Sequence, residues 1–246
     1  MRKPTDSDLP TADLPSADDI ASGDEMTDSD MTDSDITDDE MNDDGVAALL
    51  SAASASAAED ADTLSRLHRR LERAAERADL IDVAYTTVDS PLGELLLAAT
   101  PRGLVRVAYA DEGHDRVLDT LGQKLSPRIL RAPKRLEETA REIEEYFSGS
   151  RRAFDVTLDL SLSHGFRHLV QTHLPEIGYG ETRSYRDMAE LVGNPKAVRA
   201  VGTACATNPL PIVVPCHRVV RTDGTLGGYV GGLAAKTALL DLEARA

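Results

Sequence analysis

The segment Asn208-Pro209-Leu210-Pro211-Ile212-Val213-Val214-Pro215-Cys216-His217-Arg218-Val219-Val220-Arg221 decides how this 246-residue chain is read. Three prolines fix φ and a β-branched run restricts χ1, so the stretch is expected to be extended and stiff. It ends on a thiol with an imidazole next in sequence. A buried cysteine ordinarily behaves as a small core hydrophobe, and Cys205 fits that description. Cys216 does not, because prolines over-determine its backbone and polar His217 and Arg218 stand where packing alone would place aliphatics.

Working outward, Ser184 with Asp187 three residues on forms a capping box that opens a helix ending near Gly193. Asn194 then caps a second helix with Pro195 in its first turn, running to about Thr207. Two short helices joined by Gly193-Asn194-Pro195 make a helix-turn-helix candidate. The second carries Lys196 and Arg199 among small residues (Ala200, Gly202, Thr203, Ala204, Ala206), a narrow face able to approach another surface closely; the same residues would also suit close packing in a core. Ahead of this pair, residues 165–174 set Phe166, Leu169, Val170 and Leu174 on one face of a helix. Between Arg183 and Lys236 seven bases (Arg183, Arg186, Lys196, Arg199, Arg218, Arg221, Lys236) outweigh three acids, which marks the phosphate-facing region.

The first 62 residues carry 19 acids and 2 bases, a net charge of −17, whereas the remaining 184 carry 24 acids and 25 bases, a net of +1. The formal −16 of the chain therefore belongs to its N-terminal stretch. Residues 1–60, with a Met-Thr-Asp-Ser-Asp repeat at 26 and 31, are expected to be a disordered acidic tail. Residues 61–80 follow as an amphipathic helix with Leu64, Leu67, Leu71 and Ala75 on its apolar face. Apolar runs at 83–88, 94–99 and 104–109, separated by Pro-Gly turns, predict an antiparallel meander. Helices are expected over 114–124 and 133–147, the latter with Leu136, Ala140, Ile143 and Phe147 on one face and its end at Gly149. Residues 81–160 thus form a small α+β domain in which no chemistry is evident, and 161–246 form a second, mainly helical one. Two cysteines without a Cys-x-x-Cys or ligand-spaced histidines predict neither a disulfide framework nor a metal site. No apolar run spans a membrane and no secretory signal opens the chain, so a soluble protein in the reducing cytoplasm is expected.

Pro215-Cys216-His217-Arg218-Val219 resembles the active-site signature of the O6-alkylguanine-DNA alkyltransferases, the methylated-DNA-protein-cysteine methyltransferases. The likeness takes in Tyr179-Gly180-Glu181-Thr182-Arg183-Ser184-Tyr185, the stretch from Gly193 to Gly202, and Gly227-Gly228-Tyr229-Val230-Gly231-Gly232-Leu233. It is strong over residues 164–246 and weaker over 83–160. The resemblance implies an α+β protein with a small antiparallel-sheet N-terminal domain and a winged-helix-like, DNA-binding and catalytic domain after it.

It further implies transfer of a methyl or alkyl group from O6 of guanine, and also O4 of thymine, to Cys216, once per molecule and without a cofactor. Such chemistry needs a soft nucleophile, and a thiolate is the strongest among side chains. By the likeness His217 is the base, acting through a water, Glu243 orients the imidazole, and Tyr185 serves the guanine ring at N3. Val219, Tyr229, Val230 and Pro211 would line the substrate pocket; Val230 stands where many relatives have Ser, keeping a backbone N–H but no hydroxyl. Base flipping would be supported by Arg199 filling the vacated stack, Asn208 bracing the turn behind the helix, and Ser184, Lys196 and Ala200 at the DNA. Gln171 and Gly178 replace residues common in relatives, Trp and Pro, and read as structural. The implied partner is double-stranded DNA containing O6-alkylguanine, met by a monomer. A non-catalytic alkylated-DNA sensor, a helix-turn-helix regulator and a cysteine hydrolase are the competing readings; retention of Cys216, the absence of cysteine from the first 160 residues, and turnover, respectively, separate them.

Overall fold

The computed structural model describes residues 43–245. The acidic stretch up to residue 42, expected to be disordered, lies outside the described residues. Val83–Val88 (β1), Leu95–Thr100 (β2) and Gly103–Tyr109 (β3) form the expected antiparallel meander. A fourth strand, Ile129–Arg131 (β4), runs parallel to β1 and makes the sheet mixed, in the order β3-β2-β1-β4. Its three residues are too few to display an alternation.

Both faces of the sheet are covered. Leu95 and Leu97 enter the main core with Ala84, Leu104, Val107 and Tyr109, whereas Leu96 and Ala98 join Val83, Val105 and Ala108 against Val117 and Leu121 of helix α2 (His114–Lys124). Successive strand side chains point to opposite faces, and with both faces dry the strand reads Leu-Leu-Leu-Ala-Ala instead of alternating with polar residues. A 3₁₀ turn over Pro133–Leu136 leads into α3 (Glu137–Phe147), which stops before Gly149 at φ 78°. On α3 the buried positions include Ile143 and Tyr146, the latter with no exposed surface.

The first helix, α1, spans Asp43–Arg77 and so begins well before residue 61, inside the stretch expected to be disordered. Its apolar face is also not the one expected. Leu64, Leu67 and Leu71 are exposed, at 66%, 56% and 55%, and the body is met instead by His68, Glu72 and Ala75. His68 Nε2 lies 2.7 Å from the Arg131 carbonyl and Glu76 pairs with Arg135. At about 100° per residue the leucine stripe sits about a quarter turn from that contact line, and only Ala75 of the expected face packs.

In the second half α4 (Gly165–His173), α5 (Tyr185–Leu191), α6 (Val198–Ala206) and α7 (Gly232–Ala244) surround a two-stranded parallel pairing of Arg183–Ser184 (β5) with Val219–Val220 (β6). The capping box at α5 forms: Asp187 N–H donates to Ser184 Oγ at 3.1 Å and Ser184 N–H donates to Asp187 Oδ2 at 2.9 Å. Helix α6 starts at Val198, not at Pro195. Asn194 and Pro195 instead close a turn through the Ala197 N–H to the Asn194 carbonyl, the positions a β-turn favours for these two residues, and Lys196 falls outside the helix. Buried Gln171 donates to the Ala204 carbonyl at 2.8 Å and ties α4 to α6. One core runs through both halves, from Leu97 and Tyr146 to Val201, Val214 and Leu239. Across it the Val107 N–H of β3 donates to the Pro209 carbonyl at 2.9 Å.

Candidate active site

The segment expected to be extended is folded back on itself. The Val214 N–H donates to the Leu210 carbonyl at 2.8 Å, and Asn208 knots the turn from inside: its Oδ1 accepts from the Leu210 N–H at 3.0 Å and its Nδ2 donates to the Val214 carbonyl at 2.8 Å. The prolines stiffen this stretch but leave ψ free, so they do not straighten it. Ile212 takes φ 74°, a strained conformation for a β-branched residue that costs on the order of 1–3 kcal/mol and is held by its burial. From there the chain enters a 3₁₀ turn, Cys216–Arg218.

Asn208 Nδ2 also reaches Cys216 Sγ at 3.1 Å. Burial pushes the Cys216 thiol up to about 11, against the hydrogen bond from Asn208 and the charge of Lys236. The resting thiol is therefore protonated, and it would act as a nucleophile only with a base beside it. His217 is wholly buried and its Nε2–H donates to Glu243 Oε1 at 2.9 Å, while Nδ1 has no protein partner. Burial lowers its pKa and keeps the ring neutral, in spite of the carboxylate beside it. Glu243 also accepts from Arg218, whose Nε lies 2.9 Å from Oε2 and whose Nη2 lies 2.9 Å from Oε1, from the Tyr146 hydroxyl at 2.6 Å and from the Gly180 N–H at 3.1 Å. Burial alone would raise this carboxyl, yet the hydrogen bonds from His217, Arg218 and Tyr146 bring it down to about 2.

The other residues expected around the thiol are buried or half-buried. Val219 is fully buried, Pro211 is buried in the turn, and Tyr229 and Val230 are half-buried. Lys236, also fully buried, donates to the Val219 carbonyl at 2.5 Å. The Tyr185 hydroxyl is raised to about 12 by burial and by the nearby thiols of Cys205 and Cys216, so it remains a proton donor. It passes close over Gly227: a Cβ there would stand 2.3 Å from the Tyr185 oxygen. Gly227→Ala should displace the Tyr185 ring, read as a shift of its NMR resonances beside an unchanged circular dichroism spectrum. Tyr229 meets Tyr109 of β3, oxygen to oxygen at 2.9 Å, with the Tyr109 ring filling the space a side chain at Gly231 would need.

Of the residues expected at DNA, Arg199, Ala200 and Lys196 are exposed. Asn208 is fully buried in the turn, and the Ser184 hydroxyl accepts from Asp187 in the cap of α5. The expected basic region also contracts: Arg218 is buried on Glu243 and Lys236 on the Val219 carbonyl, which leaves Arg186, Lys196, Arg199 and Arg221 exposed. Tyr146 and Tyr109 are not among the residues singled out from sequence, and Arg218 and Lys236 are expected there only as surface bases; for Tyr146, its place three residues after Ile143 on the buried side of α3 is the available signal. Cys205 and Cys216 are both free, and among the described residues no three His, Cys, Asp or Glu side chains come together to hold a metal.

These features define an α+β protein built around one amide-braced thiol, with a buried imidazole–carboxylate pair and short helices that carry exposed bases. The 6-O-methylguanine DNA methyltransferase DNA binding domain model matches residues 165–245, and the ribonuclease-like domain model of the same proteins matches 83–160. The chain belongs to the methylated-DNA–protein-cysteine methyltransferase family. It is 42% identical over 163 residues to the methylated-DNA–protein-cysteine methyltransferase of Mycolicibacterium paratuberculosis, covering 66% of this chain and 93% of that protein. To its counterpart in Methanosarcina barkeri it is 40% identical over 159 residues, covering 65% and 96%. The crystal structure of Mycobacterium tuberculosis OGT in complex with DNA superposes with a TM-score of 0.57 at 38% identity, over 66% of this chain and 93% of that one.

Proposed function

We infer that this protein repairs DNA by direct, irreversible transfer of a methyl or alkyl group from O6 of guanine, and also from O4 of thymine, to Cys216. The observation that carries the reading is the braced thiol beside an imidazole with one nitrogen held by a carboxylate and the other without a protein partner. In the step, the Sγ–C bond forms as the C–O6 bond breaks, and the thiol proton passes through a water to Nδ1 of His217. The electrons of the broken bond stay on the guanine, where the Tyr185 hydroxyl supports the departing base at N3 until it is protonated. Nothing regenerates the resulting thioether, so each molecule acts once. We take the working form to be a monomer on double-stranded DNA. A free thiol as reagent suits a reducing compartment, and we take that to be the cytoplasm. The test is intact mass after incubation with duplex O6-methylguanine DNA: one methyl per protein, mapped to the peptide holding Cys216, is expected, whereas catalytic turnover or an unchanged mass would overturn the assignment.

To reach the thiol a base must leave the duplex, and we propose Arg199, exposed on α6, as the residue that fills the stack. Arg199→Ala should therefore lose repair of duplex DNA far more than reaction with an O6-benzylguanine-type free base. Tyr185→Phe should slow both, by about 10²-fold or more, because the proton is needed wherever the guanine sits. Single-turnover rates on the two substrates separate these outcomes; equal losses in the Arg199 variant would make that residue part of the pocket.

A further inference from the structure

Helix α3 belongs to the half of the chain in which the sequence showed no chemistry, yet one of its side chains ends inside the catalytic network. Tyr146 has no exposed surface and is clamped by aromatic rings: Phe147 at 5.5 Å, Phe154 at 5.3 Å and Tyr179 at 6.0 Å between centroids. Its hydroxyl donates to Glu243 Oε1 at 2.6 Å, the same oxygen that receives the His217 Nε2–H, and lies 3.5 Å from that nitrogen. We propose that Tyr146 is a positioning residue for alkyl transfer: from the N-terminal half it shares the Glu243 oxygen with His217 and so sets how strongly the imidazole holds a proton.

The physical argument rests on competition at one oxygen. Each donor on Oε1 draws off part of the negative charge available to the others, so a stronger donor at Tyr146 weakens the hold of Glu243 on a protonated His217. The other polar groups around this carboxylate are Arg218 and the Gly180 N–H. Tyr179 lies against Tyr146, and the guanidinium groups of Arg152 and Arg218 each stand 5.7 Å from the Tyr179 ring. On the His217 side are Tyr229, ring to ring at 6.3 Å, and the charge of Lys236. Among these, Tyr146 and Gly180 are the neutral donors to the carboxylate, and of the two only Tyr146 bonds the oxygen that His217 uses.

The inference rests on the reading of His217 as base, and its test reads the imidazole apart from the reaction. In the full chain, Tyr146→Phe removes the donor, while 3,5-difluorotyrosine at the same position makes a stronger one with nearly the same shape. The His217 ring is titrated by ¹⁵N NMR without DNA, and single-turnover transfer to an O6-methylguanine duplex is followed between about pH 5 and 8. Tyr146→Phe should raise the His217 titration and carry the acid limb of the rate profile upward with it, and the fluorinated side chain should move both the other way. A displacement of one pKa unit is about tenfold in rate below the limb. An imidazole that does not move, or that moves the same way in both variants, would reduce Tyr146 to packing even if the rates fell. Titrations that move in opposite directions while the rate limb stays still would remove His217 from the transfer step, overturning the functional reading and leaving the link between Tyr146 and the imidazole standing.

Discussion

Cys216→Ala should give a protein that still binds alkylated duplex DNA but never gains mass from it. The proposed nucleophile is set apart from the exposed bases: Cys216 is 1% exposed, whereas Arg186, Lys196, Arg199 and Arg221 lie on the surface. The turn should survive, because Asn208 keeps its bonds to Leu210 and Val214 when the sulfur is gone. Cys205→Ala should react normally, since burial raises that thiol still further and no hydrogen bond offsets it. Intact mass and duplex affinity, measured on both variants, check the pair of statements. A methyl adduct on the Cys216 variant would sink the assignment of the nucleophile.

The second large effect concerns Glu243. Its removal in Glu243→Ala leaves Arg218 buried without its counter-charge, and breaking a buried pair in this way costs about 3–5 kcal/mol. Small domains have only about 5–15 kcal/mol in total, so a severe loss of thermal stability is expected along with loss of transfer. Acid should act on the same pair. The folded Glu243 carboxyl, at about 2, lies below its unfolded value of about 4.3. Its stabilising contribution is thus complete above that unfolded value and disappears as pH falls toward 2. His217 is held below its ordinary value by burial, so the unfolded chain takes up its proton first and stability begins to fall below about pH 6.5. Denaturant midpoints measured against pH should show both stages in the native protein, and Glu243→Gln should lack the lower one. An identical acid profile in that variant would show that other carboxylates govern the decline.

Elements with a local cause were legible before the fold was known. Pro and Gly punctuate the three meander strands, and the Ser184-Asp187 cap depends on two side chains three residues apart, so both are as expected. What escaped was decided by specific side-chain partners, some close in sequence and some far. The turn at Leu210–Val214 exists because the Asn208 amide ties it from within, and no propensity of Ile-Val-Val announces that. Likewise the leucines of α1 lost to His68, Glu72 and Ala75 because the Arg131 carbonyl and Arg135 fix how that helix is rotated. Within the site, the likeness to a known family pointed to Cys216, His217 and Glu243, which the structure brings together. It did not point to Tyr146, whose role depends on a contact with Glu243 across 97 residues of sequence. Arg218 and Lys236 were counted as surface bases because charge alone does not reveal burial.

The core that threads both halves has a consequence for how the molecule comes apart. Tyr109 and Tyr146, from the N-terminal half, are buried against Tyr229 and Glu243 of the other, and the Val107 N–H closes onto Pro209 beside the Asn208 turn. Neither half can open without exposing the other's interior and leaving those polar groups unpaired. Melting is therefore expected to be all-or-none across residues 83–245, with coincident transitions by circular dichroism and tyrosine fluorescence, and without a partly unfolded form that presents an intact thiol-bearing fragment.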